Sequence, residues 1–132
     1  MLMAGNRYIL DTNIIVAWLN GDDQIAIQVD KAESVSISPI VAGELFYGAY
    51  NSTQVKKNFN KIQALLDNYL IVTCDVETAL HYGRIKSELK KAGTPIPEND
   101  IWIAALAAQH KLILVTRDGH FKQVKQLKLK KW

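Results

Sequence analysis

The sequence has little cysteine and no long apolar run, and each absence narrows the kind of protein that it encodes. Cys74 is the single cysteine, so the chain cannot form an internal disulfide, and its apolar neighbours at 70–72 predict a buried thiol. No apolar stretch approaches the roughly 20 residues that a membrane-spanning helix needs. Residues 1–6 also lack the hydrophobic segment of a signal peptide. We therefore expect a cytoplasmic protein that does not insert into a membrane.

The length and the charge of the chain favour one compact domain with a basic surface. Its 132 residues are 48% hydrophobic and 22% charged, so we expect a single domain over residues 1–132, with residues 1–6 as a short extension. The net charge is +3, and five lysines but no acid follow Asp118. This distribution is typical of a solvated tail, or of a surface that attracts nucleic acid phosphates, and the sequence leaves both interpretations open.

Short apolar runs alternate with helical patterns along the chain. The strands predicted from these runs are Tyr8–Leu10, Val35–Ser38, Tyr69–Cys74, Lys111–Val115 and Leu127–Lys131. The predicted helices are Ile14–Leu19, Gln24–Ala32, Pro39–Tyr50, Val55–Tyr69, a helix between Asp75 and Gly93, Asn99–His110, and a turn or short helix at Phe121–Gln126. Because parallel strands need crossover connections, this alternation predicts an α/β fold with a largely parallel sheet.

Four acidic residues stand where an apolar run stops or an apolar helix begins. Asp11 follows the first predicted strand, Asp118 follows the fourth, Glu44 lies in the helix after the second, and Asp100 opens the helix that leads into the fourth. Ligands of open α/β sheets bind outside the carboxyl ends of the strands. Each acid alone could be a helix cap, a turn residue or a surface residue. Their shared placement predicts one acidic pocket.

Such a pocket favours a hard divalent cation. Clustered carboxylates repel one another unless a cation neutralises them or one of them takes a proton. Oxygen ligands without a histidine or cysteine cluster favour Mg²⁺ or Mn²⁺ over zinc. The histidines at 81, 110 and 120 are scattered, and only His120 is near the predicted pocket.

Two phosphoryl-transfer classes of α/β protein fit the sequence less well. A haloacid-dehalogenase-like phosphatase needs a second aspartate two residues after its nucleophile, where this chain has Asn13. A response-regulator receiver needs an acidic pair ahead of its phosphorylated aspartate, and residues 7–11 supply none.

Four motifs, in order, carry a resemblance to a known family. They are Tyr8-Ile9-Leu10-Asp11-Thr12-Asn13, Ser38-Pro39-Ile40-Val41-Ala42-Gly43-Glu44-Leu45, Pro97-Glu98-Asn99-Asp100-Ile101-Trp102-Ile103-Ala104-Ala105, and Leu114-Val115-Thr116-Arg117-Asp118-Gly119-His120-Phe121. The chain resembles the PIN-domain family, and within it the VapC-type toxins of bacterial type II toxin–antitoxin systems. The resemblance implies a PIN-like three-layer α/β/α sandwich around a mostly parallel five-stranded sheet. It also implies a metal-dependent endoribonuclease.

The resemblance assigns roles to individual residues. The catalytic acids would be Asp11, Glu44, Asp100 and Asp118, with Asp11 and Asp100 binding the principal Mg²⁺ or Mn²⁺. Supporting residues, which would orient those acids or the attacking water, would be Thr12, Asn13 and Thr116. The residues expected to contact RNA phosphates are Arg117, Lys122 and Lys125.

The resemblance further implies an RNA substrate, a cognate VapB-type antitoxin that covers the acidic pocket, and a homodimer. Aromatic residues on the early helices, namely Trp18, Phe46, Tyr47 and Tyr50, could serve either core packing or such an interface. The alternative function is a non-catalytic RNA- or protein-binding module on the same fold. Retention of all four acids argues against that alternative.

Overall fold

Strands and helices alternate along the computed structural model, which describes residues 6–132. The strands are β1 Arg7–Leu10, β2 Ser34–Ile37, β3 Leu70–Ile71, β4 Ile113–Val115 and β5 Leu129–Lys130. The helices are α1 Thr12–Leu19, α2 Asp23–Lys31, α3 Pro39–Tyr50, α4 Val55–Asn68, α5 Val76–Ala92 and α6 Glu98–His110, followed by a 3₁₀ helix at Gly119–Gln123. The predicted N-terminal extension lies outside the described residues, apart from Asn6.

The five strands form one sheet in the order β3-β2-β1-β4-β5, and every neighbouring pair is parallel. The chain moves from β1 through β2 to β3 in one direction, then returns past β1 to β4 and β5. Since crossovers between parallel strands are right-handed, the reversal places α1–α4 on one face and α5–α6 on the other. This is the predicted three-layer α/β/α arrangement. The strand order reverses between β1 and β4, where ligands of such sheets bind.

The hydrophobic core is centred on the middle strands, which are covered on both faces. Ile9 and Leu10 of β1 and Leu114 and Val115 of β4 are fully buried, as continuous apolar runs in a covered parallel sheet should be. Helix α6 is apolar on most sides, and its buried residues are Ile101, Ile103, Ala104, Ala105, Leu106 and Ala107. The buried side chains form one cluster. One domain over the whole of residues 1–132 stays a prediction.

Although α6 is apolar, it is short. Within residues 6–132, no helix combines the length and the apolar composition that crossing a membrane requires.

Side-chain caps determine where the helices after β1 and β2 begin. Asp11 directly follows β1, and its carboxylate accepts the first amide of α1. Ser38 directly follows β2, and its hydroxyl accepts the amide of Val41 at 3.0 Å, with Pro39 in the first helical position. Both helices therefore start at the carboxyl edge of the sheet, without an intervening loop.

The third strand is shorter than predicted. Only Leu70–Ile71 of the expected Tyr69–Cys74 run pairs with β2. The amide of Val72 still donates to the carbonyl of Ile37 at 3.1 Å, but the chain then leaves the sheet toward α5. Cys74 is therefore exposed, and the prediction of a buried thiol was wrong. The strand at the opposite edge, β5, also has only two residues.

The first turn of α6 is tied to α5 by side chains. No side chain caps α6. Instead, Glu98 accepts hydrogen bonds from Tyr82 and Lys86 of α5. The ring of Tyr82 also stacks on Trp102, with 4.0 Å between the ring centroids. These contacts accommodate the bulky Trp102 and fix the turn that carries Asp100.

Replacement of Phe121 by alanine should destabilise the protein by about 3–5 kcal/mol, because its fully buried ring would leave a cavity. The matched control is Leu80→Ala on the exposed side of α5, which should change stability by less than about 0.5 kcal/mol. Urea unfolding followed by circular dichroism measures both changes. A loss below about 1 kcal/mol for Phe121→Ala would contradict its place in the core.

Candidate metal centre at the sheet edge

Four carboxylates from separate parts of the chain meet at the carboxyl edge of β1 and β4. Asp11 follows β1, Asp118 follows β4 after two residues, Glu44 projects from α3, and Asp100 from the first turn of α6. The charges of Glu44 and Asp118 both raise the pKa of Asp11. Those of Asp11 and Asp118 raise the pKa of Asp100. The structure thus brings the four predicted acids together.

Asp11 is the most buried member of the cluster, with 5% of its surface exposed. One carboxylate oxygen accepts the Thr116 hydroxyl at 2.7 Å, and the other accepts the Thr12 amide at 2.8 Å. Burial raises the pKa of Asp11, and these two hydrogen bonds oppose that effect. The carboxylate is therefore held in one orientation by one donor on each oxygen.

Glu44 is joined to Asp11 through a shared neighbour. The Thr12 hydroxyl donates to Oε1 of Glu44 at 2.8 Å, while the Thr12 amide donates to Asp11. Thr12 thus orients two acids at once, one with its side chain and one with its backbone. The predicted supporting role of Thr12 has a structural basis in these two contacts.

The surroundings of Asp100 strongly disfavour its ionised form. Its side chain is only 14% exposed. Burial raises the pKa of Asp100 to about 6, the charge of Asp11 adds to the rise, and a hydrogen bond from His120 opposes it. A carboxyl group with this pKa binds a proton or a cation readily near neutral pH.

Asp118 and His120 complete the exposed side of the cluster. Asp118 receives the His120 amide on Oδ1 at 2.9 Å, and its own amide donates to the Thr116 hydroxyl at 2.9 Å. The His120 ring lies with Nδ1 at 3.1 Å from Asp118 Oδ1 and 3.4 Å from Asp100 Oδ2. Ligand atoms of Asp100, Asp118 and His120 all lie within 4.8 Å of one another.

The other residues singled out in the sequence have unequal access to the pocket. The Asn13 side-chain oxygen accepts the Arg117 amide at 3.3 Å, which joins α1 to the segment after β4. The Arg117 guanidinium pairs with Asp22 at 3.0 Å and donates to a main-chain carbonyl, so it is largely engaged within the protein. Lys122 is exposed in a cleft shared with Asp118, whereas Lys125 lies in a different cleft, against α5.

The donor set fits a hard divalent cation. Carboxylate oxygens predominate, and these are the ligands that Mg²⁺ and Mn²⁺ prefer. The pKa values of Asp11 and Asp100 are raised by burial and by neighbouring charge, and a divalent cation would relieve that repulsion. Within residues 6–132, Asp100 and Asp118 form, with His120, the one group of three or more possible metal ligands, and Asp11 is not a member of that group.

The sequence and the fold both match known proteins. A family model for the PIN domain matches residues 8–127. The chain belongs to the PIN domain family. It is 36% identical over 129 residues to Ribonuclease VapC2 of Haemophilus influenzae, covering 96% of this chain and 98% of that protein. It is also 28% identical over 129 residues to the tRNA(fMet)-specific endonuclease VapC of Salmonella typhimurium, with the same coverage.

A solved relative has the same fold as this PIN domain. The structure of VapBC2 from Rickettsia felis, bound to a DNA fragment from its promoter, matches with a TM-score of 0.89 and 32% sequence identity. The match covers 95% of this chain and 98% of that one. The predicted resemblance to VapC-type members of the PIN domain family is therefore confirmed.

The sequence places His120 near the predicted pocket of this PIN domain but indicates no role for its side chain. In the structure, the His120 ring lies against the carboxylates of Asp100 and Asp118. The sequence feature that indicates this contact is the spacing of the two residues, since His120 comes two residues after Asp118 across an Asp-Gly turn. Such a turn returns the side chain toward the aspartate.

Without added metal, ionisation of Asp100 should destabilise the folded protein between about pH 4 and pH 6. Its pKa rises from 3.8 to about 6 on folding, so the folded state binds more protons in this window and stability falls as pH rises. Asp100→Asn should remove this fall and be more stable than the wild type above pH 6 by about 1–2 kcal/mol. Thermal unfolding in EDTA from pH 4 to pH 8 measures the difference.

The control for this comparison is Asp23→Asn, which neutralises an exposed acid in the first turn of α2 and should leave the pH profile unchanged. Equal stabilities of Asp100→Asn and wild type at pH 7.5 would show that the ionised Asp100 has no unfavourable environment.

Proposed function

We propose that this protein is a divalent-metal-dependent endoribonuclease that hydrolyses RNA phosphodiester bonds, and that it is the toxin of a VapBC-type toxin–antitoxin pair. The convergence of Asp11, Glu44, Asp100 and Asp118 on one edge of the sheet carries the proposal. The VapC relatives are named as ribonucleases or as a transfer RNA endonuclease, which supports RNA as the substrate class. With RNA as substrate, we propose that it acts in the cytoplasm.

The acids divide into two groups by their surroundings. Asp11 and Asp100, the two acids whose pKa values are raised by burial, would hold Mg²⁺ or Mn²⁺, with Glu44 and Asp118 completing the negative pocket. A divalent cation at such a site supplies an acidified water and positive charge for the scissile phosphate. No side chain of the chain needs to act as a nucleophile in this chemistry.

Thr12 and Thr116 would hold the acids of the pocket in fixed orientations. Thr116 and Thr12 each donate to one oxygen of Asp11, which holds the plane of that carboxylate and leaves further lone pairs for a cation. The Thr12 hydroxyl holds Glu44 at 2.8 Å in the same way. Preorganised acids lose little conformational freedom when the cation and the phosphate arrive.

Basic side chains near the pocket would position the RNA backbone. Lys122 shares a cleft with Asp118 and has an exposed side chain, so it is well placed for a phosphate contact. Lys125 is further round the surface, and Arg117 would have to give up its pairing with Asp22 to contact RNA. Such contacts add affinity without reading base sequence.

An apolar groove beside the pocket would receive the antitoxin. Val16, Leu19 and Ile62 line the groove, and Thr12 and Glu44 are also part of its lining. Val16 is 44% exposed although it is apolar. The solved relative is itself a VapBC complex. A partner segment with apolar side chains for the groove and a basic side chain for the acids would cover the catalytic edge.

We also propose a homodimer, for which the aromatic residues give partial support. Trp18 packs edge-on against Tyr69, and Phe46 packs against Phe59, so these side chains serve the fold. Tyr47 remains 72% exposed and is available to an interface.

The alternative, a non-catalytic binding module, lacks a supporting observation. Such a module needs neither the buried Asp11 nor the hydroxyl groups that orient it, and both are present. The distinction between the two functions depends on whether RNA is cut.

Wild-type protein freed of antitoxin should cleave RNA with Mn²⁺ or Mg²⁺ and lose that activity in EDTA. Asp11→Asn and Asp100→Asn should each reduce the cleavage rate by at least about a hundredfold, because each removes a charge that holds the cation. Gel analysis of labelled RNA measures the rates. The matched control, Asp67→Asn on the exposed side of α4, should cleave at the wild-type rate.

Equal cleavage by the wild type and both site variants would refute the site assignment. Cleavage of no RNA by the wild type would favour the binding module.

Val16→Gln should weaken binding of the cognate antitoxin by about tenfold, because it places an amide in the apolar groove. The control is Val76→Gln, since Val76 is 85% exposed on α5, which covers the opposite face of the sheet. Titration of antitoxin into the RNA cleavage reaction measures the affinity. Unchanged inhibition of Val16→Gln would place the antitoxin elsewhere on the surface.

A further inference from the structure

The His120 ring has a position that the proposed catalytic roles of the acids do not explain. Its Nδ1 lies 3.1 Å from Asp118 Oδ1 and 3.4 Å from Asp100 Oδ2. The other two histidines have partners that account for their orientation, since His81 bonds to a guanidinium of its own helix and His110 to a main-chain carbonyl of another segment. Within residues 6–132, only the two carboxylates face the His120 Nδ1.

The backbone around His120 holds the ring over the acids. The His120 amide donates to Asp118 Oδ1 at 2.9 Å, which closes a tight turn between the two residues. The next residue, Phe121, is fully buried and anchors the 3₁₀ helix in the core. The ring is 54% exposed, so its placement comes from these two anchors on its backbone.

The two distances from the His120 ring nitrogen to the carboxylate oxygens match the spacing of ligands in one coordination shell. Two ligands at right angles on an octahedral cation, with bonds of about 2.1 Å, lie about 3 Å apart. The distances of 3.1 and 3.4 Å from Nδ1 to the carboxylate oxygens are close to that spacing. A cation bound by Asp100 and Asp118 would therefore meet the imidazole without a change in the fold.

We propose that His120 supplies Nδ1 as a nitrogen ligand to the divalent cation of the proposed centre, on the side of the pocket formed by Asp100 and Asp118, and that it makes the centre favour first-row transition ions such as Mn²⁺ over Mg²⁺. Imidazole nitrogen binds transition ions better than it binds Mg²⁺, which keeps oxygen ligands and water. The inference rests on the proposed metal centre, and it adds a nitrogen to a set otherwise made of carboxylates.

Nitrogen ligation has a spectroscopic signature that is independent of activity. Mn²⁺-loaded wild-type protein at pH 8 should display ¹⁴N modulation in pulsed electron paramagnetic resonance. The modulation should disappear in His120→Phe, which keeps a ring, and in His120→Gln, which keeps hydrogen-bonding groups but no imidazole. The control, His81→Gln on α5, should retain it.

Affinities for the two ions provide the second measurement. His120→Phe and His120→Gln should both bind Mn²⁺ about tenfold or more weakly, with less than about a twofold change for Mg²⁺. Retention of wild-type Mn²⁺ affinity by His120→Gln would make His120 a hydrogen-bonding residue and overturn the inference. Equal losses for both ions would also overturn it, because they would indicate a general positioning effect.

The outcomes separate this inference from the proposed function. If the wild type binds Mn²⁺ and cleaves RNA but has no ¹⁴N modulation, ligation by His120 is wrong and the nuclease proposal stands. If the wild type binds neither Mn²⁺ nor Mg²⁺, both proposals fail.

Discussion

The parallel pairing of β1 with β4 is the interaction on which the candidate site depends. Hydrogen bonds between the two segments extend past the ends of the strands. The Asp11 amide donates to the Val115 carbonyl at 3.0 Å, and the Thr116 hydroxyl donates to the Asp11 carboxylate. The two segments are neighbours only because the strand order reverses between them. Helices α3 and α6 then add one carboxylate each, Glu44 and Asp100, to the edge of the sheet that β1 and β4 form.

The same arrangement concentrates carboxylates where water has little access. The unfavourable free energy of their charges must be offset by the rest of the fold. Burial and mutual repulsion raise the pKa values of Asp11 and Asp100. The buried strands and α6 supply the apolar contacts that keep the chain folded around this cluster. Any cation that binds only the folded state would shift this balance further toward folding. The site and the stability of the domain are therefore linked through its carboxylates.

Most of the fold and the position of the acids could be predicted from the sequence. The length of β3 and the contacts of His120 could not, for physical reasons. Strand and helix order, the parallel sheet and the placement of Asp11 and Asp118 follow from local patterns and from a rule about strand ends. The length of β3 could not be predicted, because pairing at a sheet edge, and not apolar composition, decides where Cys74 leaves the sheet. The contact of His120 with Asp100 joins residues 20 positions apart, which no local pattern specifies.

The shortness of the two edge strands affects how readily the free protein can aggregate. β3 and β5 each have only two residues, and lysines surround β5. Exposed backbone along a sheet edge is the usual template on which another chain adds a strand, and short or charged edges offer little of it. The protein exposes an apolar groove beside α1, where Val16 is 44% exposed, but its sheet edges resist aggregation by strand addition. The short, charged edges therefore favour a dispersed protein even where apolar surface is exposed.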